Sequence, residues 1–230
     1  MLGTIVNVST ILAGTLVGGF FGKKIKEEYK DAMFNAVGLA AAGLGISTLC
    51  SNLPKSTYPV LFIVSLALGG LLGSVLDIDK RFNSLVTKFG KSDLSRGLST
   101  AILLFCIGTL SILGPVKSAV EGDNTFLFTN ATLDFVTSAV LASTYGFGIA
   151  IAAGVLFLWQ GSIWLLASFL GPFIPEALMT EISIVGGVLI ACSGLSILNI
   201  KSFKTMNMLP SLIVPILWFG IMALIGLFTA

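Results

Sequence analysis

The stretch 126–146, FLFTNATLDFVTSAVLASTYG, is long enough to cross a lipid bilayer and holds one charged side chain, Asp134. A helix needs roughly 20 mostly apolar residues to span the hydrocarbon layer. A carboxylate near the membrane centre costs at least about 2.5 kcal/mol on insertion scales, so it usually faces a partner, water or a transported substrate. We interpret this stretch as a membrane span with a polar centre.

The rest of the chain has the composition of a membrane protein. Its 230 residues are 55% hydrophobic and 10% charged, and the mean hydropathy is +1.01. A soluble domain carries about 25% charged residues, so the polar side chains here are too few for a water-facing surface. The expected partner is the lipid bilayer, and the net charge of +2 does not indicate a nucleic acid.

Eight apolar segments predict an all-α polytopic membrane protein with a single transmembrane domain over residues 1–230. Helices are expected because every backbone polar group in lipid must be satisfied within its own segment. The runs lack the period-2 alternation of a membrane β-barrel. The predicted spans are approximately 1–21, 31–50, 58–76, 97–113, 126–146, 147–170, 181–200 and 208–228.

Only four uncharged residues, 145–148, separate the fifth and sixth spans, which could instead form a half-entering hairpin beside one span. With eight spans, 11 lysines and arginines fall on one side of the membrane and 2 on the other; with a non-crossing fifth segment the division is 9 to 4. Cytoplasmic loops carry the excess of positive charge. We therefore favour eight spans, with both termini outside the cytoplasm.

Residues 78–89 predict a short basic amphipathic helix. Ile78, Phe82, Leu85 and Phe89 recur at helical spacing, and basic and polar residues fill the opposite face. Such a helix lies in the headgroup layer. We interpret it as a membrane anchor or packing strap rather than as a site for a soluble partner.

Two pairs of spans resemble each other at a nearly constant offset. Residues 35–49 align with residues 184–198 at an offset of 149, and the third and eighth spans align at an offset of 151. Equivalent pairs include Gly38 and Gly187, Gly45 and Gly194, and Pro59 and Pro210. The pattern predicts an inverted repeat relating spans 1–3 to spans 6–8, as in many secondary transporters. The alternative is chance likeness between glycine-rich helices.

Glycine spacing predicts close helix packing. The chain has 26 glycines, and the pairs Gly14–Gly18 and Gly69–Gly73 form small-xxx-small faces. Membrane helices use such faces to bring their backbones together. We favour packing over the alternative that these glycines mark broken helices around a site.

Asp134 shares a helical face with other polar residues. Asn130 precedes it by four residues, Thr137 and Ser138 follow by three and four, and Tyr145 extends the same face. Residues at these spacings lie on one side of a helix. The spacing predicts that this polar face points into the protein.

Three amides in other spans complete the candidate site: Gln160 in the sixth, Asn7 in the first and Asn35 in the second. A carboxylate with amide and hydroxyl oxygens can coordinate a dehydrated cation, or it can shuttle a proton. The alternative is that Asp134 only bonds one helix to another. Asn7 and Asn35 are better explained as packing residues, and the set names no particular metal.

The sequence offers little for catalysis. It has no histidine, no nucleotide-binding or nucleophile-elbow motif, and no second carboxylate inside a predicted span, away from its ends, for an aspartyl-protease dyad. Cys50, Cys106 and Cys192 lie in apolar surroundings without a metal-binding spacing. We expect neither enzyme activity nor a cofactor.

Several motifs resemble the YqgA/YdfK-like family of bacterial integral membrane proteins. They are the opening MLGTIVNVSTILAGTLVGGFFGKKI, LGGLLGSVLDID at 68–79, ILGP at 112–115, LFTNATLDFVTSAVLAST at 127–144 and WQG at 159–161. The most specific part holds Asp134 and Gln160. The resemblance covers essentially the whole chain and implies a bacterial inner-membrane protein, but it supplies no substrate.

The sequence thus predicts a transporter or channel for a small ion or solute, with a polar centre at Asp134. The alternative is a non-transporting membrane scaffold or partner-binding subunit. A homodimer is a further expectation.

Overall fold

The computed structural model describes residues 1–21, 26–87, 93–107 and 109–229, and within these ranges every regular element is helical. The predicted all-α fold is confirmed. Short 3-10 turns lie at Leu53–Lys55, Phe147–Ala150, Gly171–Phe173 and Leu209–Leu212. The α-helices are α1 (Leu2–Phe21), α2 (Glu27–Asn52), α3 (Leu61–Leu76), α4 (Ile78–Thr87), α5 (Asp93–Ile107), α6 (Thr109–Val120), α7 (Thr125–Tyr145), α8 (Ile151–Leu170), α9 (Glu176–Ile197), α10 (Thr205–Met208) and α11 (Ile213–Thr229).

Six helical stretches in the described ranges are long and apolar enough to cross a membrane. They correspond to predicted spans one, two and five to eight, so the fifth and sixth segments are both long helices. The fourth predicted span is a pair of helices, α5 and α6, bent by 43°. The third, α3, has 16 residues, fewer than the roughly 20 that cross a bilayer of ordinary thickness.

Helix ends differ from the predicted span ends. α2 begins at Glu27 and α9 at Glu176, four and five residues before the predicted limits of 31 and 181. The apolar pattern marks the part of a helix that contacts lipid, whereas charged residues at the ends continue the same helix into the headgroup layer. α8 begins at Ile151, after the 3-10 turn, rather than at residue 147.

The predicted amphipathic helix corresponds to α4. Asp77 ends α3 in the left-handed conformation, with φ of 48°, and α4 starts at the next residue. α4 is described up to Thr87. The last two residues of the predicted helix, 88–89, and the side chains of Phe82 and Leu85 lie outside the described part.

The chain divides into two compact units, residues 1–39 with 80–172 and residues 40–79 with 173–230. In the first unit, α1 packs lengthwise on α7. Gly14 faces Ser138 and the Phe135 carbonyl, and Gly18 faces the Ala139 carbonyl, with no room for a Cβ atom at either glycine. The residue numbers rise together along both helices, so α1 and α7 run parallel.

A buried apolar cluster completes the first unit. It lies on the other sides of α1 and α7, where α5 and α8 pack. Small side chains on α8 let these helices approach each other closely. The cluster comprises Ile11, Ala101, Phe105, Cys106, Ala142, Ile149, Ala152, Ala153 and Leu156.

In the second unit, α9 is the most buried of the candidate spans. Contacts with it are made by α3, by the α10–α11 segment and, through Gly45, by the end of α2. Gly45 of α2 lies against the Gly187 backbone of α9, so these helices are in backbone contact. Gly69 lies against Ser211, and Gly73 lies against Asn207. The faces Gly14–Gly18 and Gly69–Gly73 are therefore packing faces, as predicted.

Helix boundaries recur at a fixed interval. α8 begins and ends 149 residues after α1 (residues 2 and 151, 21 and 170), and α9 begins 149 residues after α2 (residues 27 and 176). α11 begins 152 residues after α3 (residues 61 and 213). α1 and α8 contain 20 residues each. The interval agrees with the offset that the sequence comparison gave for α2 and α9.

We predict that Gly18→Ala destabilises the protein by about 1–3 kcal/mol, since the new methyl group meets a backbone carbonyl that cannot turn aside. Gly154→Ala, on α8, is the matched control, because a Cβ atom there meets nothing within 4 Å. Thermal unfolding of the detergent-purified variants measures the difference. Equal unfolding temperatures for the two variants would show that α1 and α7 are not in backbone contact.

Candidate functional site

The helix α7 places Asp134 inside the first unit. Asp134 lies near the middle of this 21-residue helix and its side chain is 4% exposed. Asn130, Thr137 and Ser138 are also buried, and Tyr145 is half-buried. The polar face that the spacing predicted therefore points into the protein. Helical periodicity places it on the side of α7 that packs against α1.

Two amides and a thiol lie close to the Asp134 carboxylate. Asn130 Nδ2 donates a hydrogen bond of 2.8 Å to Asp134 Oδ2. The Asn7 amide of α1 lies beside the same carboxylate, although neither of its polar atoms forms a well-aligned hydrogen bond with a described residue. The Cys106 thiol of α5 is close enough to Asp134 to interact electrostatically with its carboxylate.

Gln160 reaches the same region from α8. Its Nε2 atom donates a hydrogen bond of 3.1 Å to Ser111 Oγ on α6. α6 runs antiparallel to α7, because Ser118 bonds Asn124 at 2.9 Å whereas Gly114, one turn earlier, faces Leu127. Ser111 is one further turn along. The register thus sets Gln160 level with Asn130.

A second register gives the same level for Gln160. Gly161, the next residue of α8, lies near Met1, so Gln160 is beside the first turns of α1. Gly3 of α1 faces Leu127 of α7. Thr4 and Asn7 follow on the same side of α1. Two independent helix contacts therefore bring Asn7, Asn130, Asp134 and Gln160 within about two helical turns, or roughly 11 Å along the axis.

Several buried polar atoms in this region have no hydrogen-bond partner among the described residues. They are Thr4 Oγ1, Asn7 Nδ2 and Oδ1, and Gln160 Oε1, with Thr15 Oγ1 further along α1. A buried polar atom left unsatisfied costs about 1–3 kcal/mol. We name the set Thr4, Asn7, Ser111, Asn130, Asp134 and Gln160 the polar cluster.

Other predicted residues stand apart from this cluster. Asn35 is exposed on α2, so it does not belong to the site, and its amide is on the surface of its helix. Ser138 Oγ donates to the Phe135 carbonyl at 2.9 Å and packs against Gly14, which makes it part of the α1–α7 contact. The sequence did not single out Thr4 and Ser111, because single hydroxyls are frequent in membrane helices.

The polar cluster suits a ligand that interacts with oxygen atoms. It contains one carboxylate, three amides and two hydroxyls. Within the described residues, no group of three or more His, Cys, Asp or Glu side chains could hold a metal ion. The cluster can accept a proton on Asp134 or coordinate a small cation with the carboxylate and amide oxygens.

An open crevice of about 550 Å³ lies in the second unit, between α3 and α11. Its lining is apolar and includes Val64, Leu68, Leu217 and Trp218. It contains none of the predicted site residues. An apolar crevice on the outside of a membrane helix pair fits lipid chains, so we do not assign the polar chemistry to it.

Comparison with known proteins identifies the relatives of this chain. A family model described as a protein of unknown function (DUF554) matches residues 2–220. The chain belongs to this family. It is 60% identical to the uncharacterized membrane protein YdfK of Bacillus subtilis (strain 168) over 215 residues, 94% of each chain. No solved structure matches.

A more distant relative is the uncharacterized protein YqgA of Escherichia coli (strain K12). It is 28% identical over 226 residues, which cover 93% of this chain and 94% of the relative. The resemblance to a YqgA/YdfK-like family is therefore confirmed. The family assignment and the apolar helices together make this an integral membrane protein.

The structure adds a buried acid that the sequence interpretation treated as a span end. Glu181 is 1% exposed, and it lies six residues into α9. Its Oε1 atom accepts hydrogen bonds from Ser56 Oγ at 2.6 Å and from the Tyr58 backbone N–H at 3.0 Å. The missed signal was Pro175 followed by Glu176, a common start for a helix, which places residue 181 beyond the first turn.

Glu181 stabilises the turn that leads into α3. We predict that Glu181→Ala lowers the free energy of unfolding by about 1–3 kcal/mol, because the Ser56 hydroxyl loses its acceptor and the Tyr58 N–H loses one of its two acceptors. Glu181→Gln retains an oxygen acceptor on its amide and should lower the free energy of unfolding by a smaller amount. Glu176→Ala, on the exposed first turn of the same helix, is the control and should cost less than about 1 kcal/mol. A chemical-denaturant titration in detergent that ranks Glu176→Ala as the more harmful change would contradict this role.

The turn before α7 is also stabilised by an acid. Partial burial alone would raise the pKa of Asp123, but hydrogen bonds from Thr125 and the charge of Lys117 outweigh it and hold the pKa below its ordinary value. The Thr125 N–H donates to Asp123 Oδ1 at 2.9 Å. Asp123 thereby satisfies an N–H group at the start of the helix that carries Asp134.

The lowered pKa of Asp123 gives a pH dependence with a definite sign. The ionised carboxylate stabilises the folded state above the unfolded pKa, near 3.8, and this contribution is lost as the pH falls through the lower folded-state value. We expect the wild-type protein to unfold at a higher temperature than Asp123→Asn at neutral pH and at the same temperature in strong acid. If the wild-type protein still unfolded at the higher temperature in strong acid, the stabilisation would come from a group other than Asp123.

Proposed function

We propose that this membrane protein is a secondary transporter or channel for a small ion or solute, with the polar cluster as its site. The observation that carries the proposal is the burial of Asp134 in mid-span, close to polar atoms that have no hydrogen-bond partner in the described part of the chain. Ionisable residues inside a membrane are costly, and they usually mark ion or substrate pathways. We propose no covalent chemistry and no cofactor for this site.

The helix boundaries support an inverted repeat that relates α1, α2 and α3 to α8, α9 and α11. Each pair lies side by side and runs in opposite directions. Met1 lies near Gly161 and Gly19 meets Phe147, so α1 and α8 are antiparallel. Gly45 meets Ala191 whereas Ser56, just after α2, bonds Glu181, so α2 and α9 are antiparallel. Tyr58 packs edge-to-face on Trp218, and Gly73 meets Asn207 of α10. Opposite direction is what an inverted repeat requires, and secondary transporters commonly have this architecture.

Prolines at corresponding positions agree with this repeat. The span Thr205–Ile225 contains a 3-10 stretch at Leu209–Leu212, which includes Pro210, and α3 starts directly after the turn at Pro59. We further propose a bacterial cytoplasmic membrane as the location, with both termini outside the cytoplasm and a homodimer as the assembly.

Flux measurements in proteoliposomes test the proposal. Purified wild-type protein should conduct protons or a tracer ion, followed with a pH-sensitive dye or radioactive ions, above the level of empty liposomes. Asp134→Asn should lower the rate at least about tenfold, which corresponds to about 1.4 kcal/mol in the barrier. Asp31→Asn makes the same change at an exposed position and should keep the wild-type rate. Equal flux in the two variants would remove Asp134 from the mechanism.

A second candidate is a membrane scaffold or partner-binding subunit. The observation that favours it is the exposed face of α2, where Ala36, Ala40, Gly43 and Ser47 leave room for another helix and a Cβ atom on Gly43 meets nothing within 4 Å. This candidate predicts that substitutions on α2 change complex formation, and that Asp134→Asn changes stability without any flux to lose. Crosslinking in membranes beside the flux assay separates the two.

A further inference from the structure

We infer that the ligand of the polar cluster is a dehydrated monovalent cation. The inference rests on the proposed function, because it names the substrate class of the same site. Three observations support it: the charge of the cluster, the kind of atoms that lack a partner, and the placement of Asn7, Asp134 and Gln160 on three helices.

The charge of the cluster is matched by one positive charge. Asp134 is its only carboxylate, and no lysine or arginine of the described residues is among the groups that act on it. A divalent cation would leave one excess positive charge among buried helices, where an unpaired charge is expensive. A monovalent cation on Asp134 leaves the site neutral.

The unpartnered atoms include two amide oxygens and a hydroxyl oxygen, on Asn7, Gln160 and Thr4. Carbonyl-type oxygens replace the water shell of an alkali cation in selective membrane sites. No sulfur or imidazole group is required for such a cation, and oxygen ligands suit hard cations. The donor set is therefore the right kind for lithium, sodium or potassium.

Simpler occupants leave part of the cluster unsatisfied. A proton on Asp134 removes the charge and makes an O–H group that can donate to Asn7 Oδ1, but it gives Gln160 Oε1 no partner. An ordered water molecule can donate to these oxygens, but it leaves the carboxylate without a counter-charge. One monovalent cation provides both, because it pairs with Asp134 and accepts the amide oxygens as ligands.

The placement of the ligands on different helices allows binding to be coupled to helix movement. Asn7 belongs to α1, Asp134 to α7 and Gln160 to α8, and α1 and α7 touch through glycines rather than interlocking side chains. A cation held between these helices would draw them together. A ligand that binds the folded state alone also raises its stability by mass action.

Thermal unfolding in matched chloride salts tests the inference on the full-length protein in detergent. Lithium, sodium and potassium chloride are each titrated against choline chloride at constant ionic strength, and magnesium chloride is titrated separately. We expect at least one alkali cation to raise the unfolding temperature in a saturable way and magnesium not to do so. A response to pH alone, or saturation by magnesium, would overturn the inference.

Variants assign the effect to the cluster. Asp134→Asn should abolish the cation-dependent shift, and Gln160→Leu should raise the concentration at half-saturation at least about tenfold, as expected for one lost ligand. Asn35→Leu makes a matched change at an exposed amide of α2 and should respond as the wild type does. Equal half-saturation for Gln160→Leu and Asn35→Leu would overturn the assignment of Gln160.

Equilibrium binding of the stabilising cation, in radioactive form, is measured for variants that fold poorly. Folded protein is first isolated by size-exclusion, so the measurement gives the number of bound ions per folded molecule. Binding without flux would leave the cation site standing and refute transport. Flux without any cation-dependent stabilisation or binding would leave transport standing and refute the monovalent cation.

Discussion

The burial of Asp134 in lipid-facing helices constrains the first unit more than any other feature. Hydrocarbon supplies no hydrogen bonds, so a carboxylate at this depth must be surrounded by protein atoms. Asn130 supplies a donor from the preceding turn, and Asn7 comes from a neighbouring helix. For α1 to bring Asn7 so close, its backbone must approach α7, and Gly14 and Gly18 permit that approach. The burial of Asp134 and the two glycines of α1 therefore depend on the same close contact between α1 and α7.

The second unit also buries an acid, but within the described residues this acid is not part of a cluster of unpartnered polar atoms like the one around Asp134. Glu181 is as deeply buried as Asp134, but its carboxylate accepts hydrogen bonds from the turn before α3. Its buried state is therefore accounted for by local structure. Glycines again allow backbone contact, at Gly45 against Gly187. The contrast separates a structural acid, whose acceptor atoms are used, from an acid whose neighbours still lack partners.

The sequence predicted the helical class, most spans and the buried face of α7, because these depend on local composition and periodicity. Asn130, Asp134, Thr137 and Ser138 share a face by spacing alone. Contacts between distant helices do not follow from such rules. The hydrogen bond between Gln160 and Ser111 requires contact between α6 and α8, which the sequence does not reveal. Asn35 is exposed because it lies on the outward side of α2, and other residues form the buried side of that helix. The burial of Glu181 was missed for a different reason, since the span was taken to begin at its charge.

Directions of neighbouring helices provide an argument that neither composition nor length can give. Within the first unit, α1 runs parallel to α7 and antiparallel to α8; within the second, α2 is antiparallel to α9, and α3 is antiparallel to α11. Parallel neighbours must be separated by an even number of crossings, and antiparallel neighbours by an odd number. Counting the bent pair α5–α6 and the short α3 as one crossing each satisfies all four relations. Leaving out α3 alone would make α1 and α7 antiparallel, against the contacts of Gly14 and Gly18. The directions therefore require α3 and the bent pair, taken as one unit, either both to cross the membrane or both to stop short of it. A locally thinned bilayer or flanking polar residues would accommodate a crossing by the 16 residues of α3.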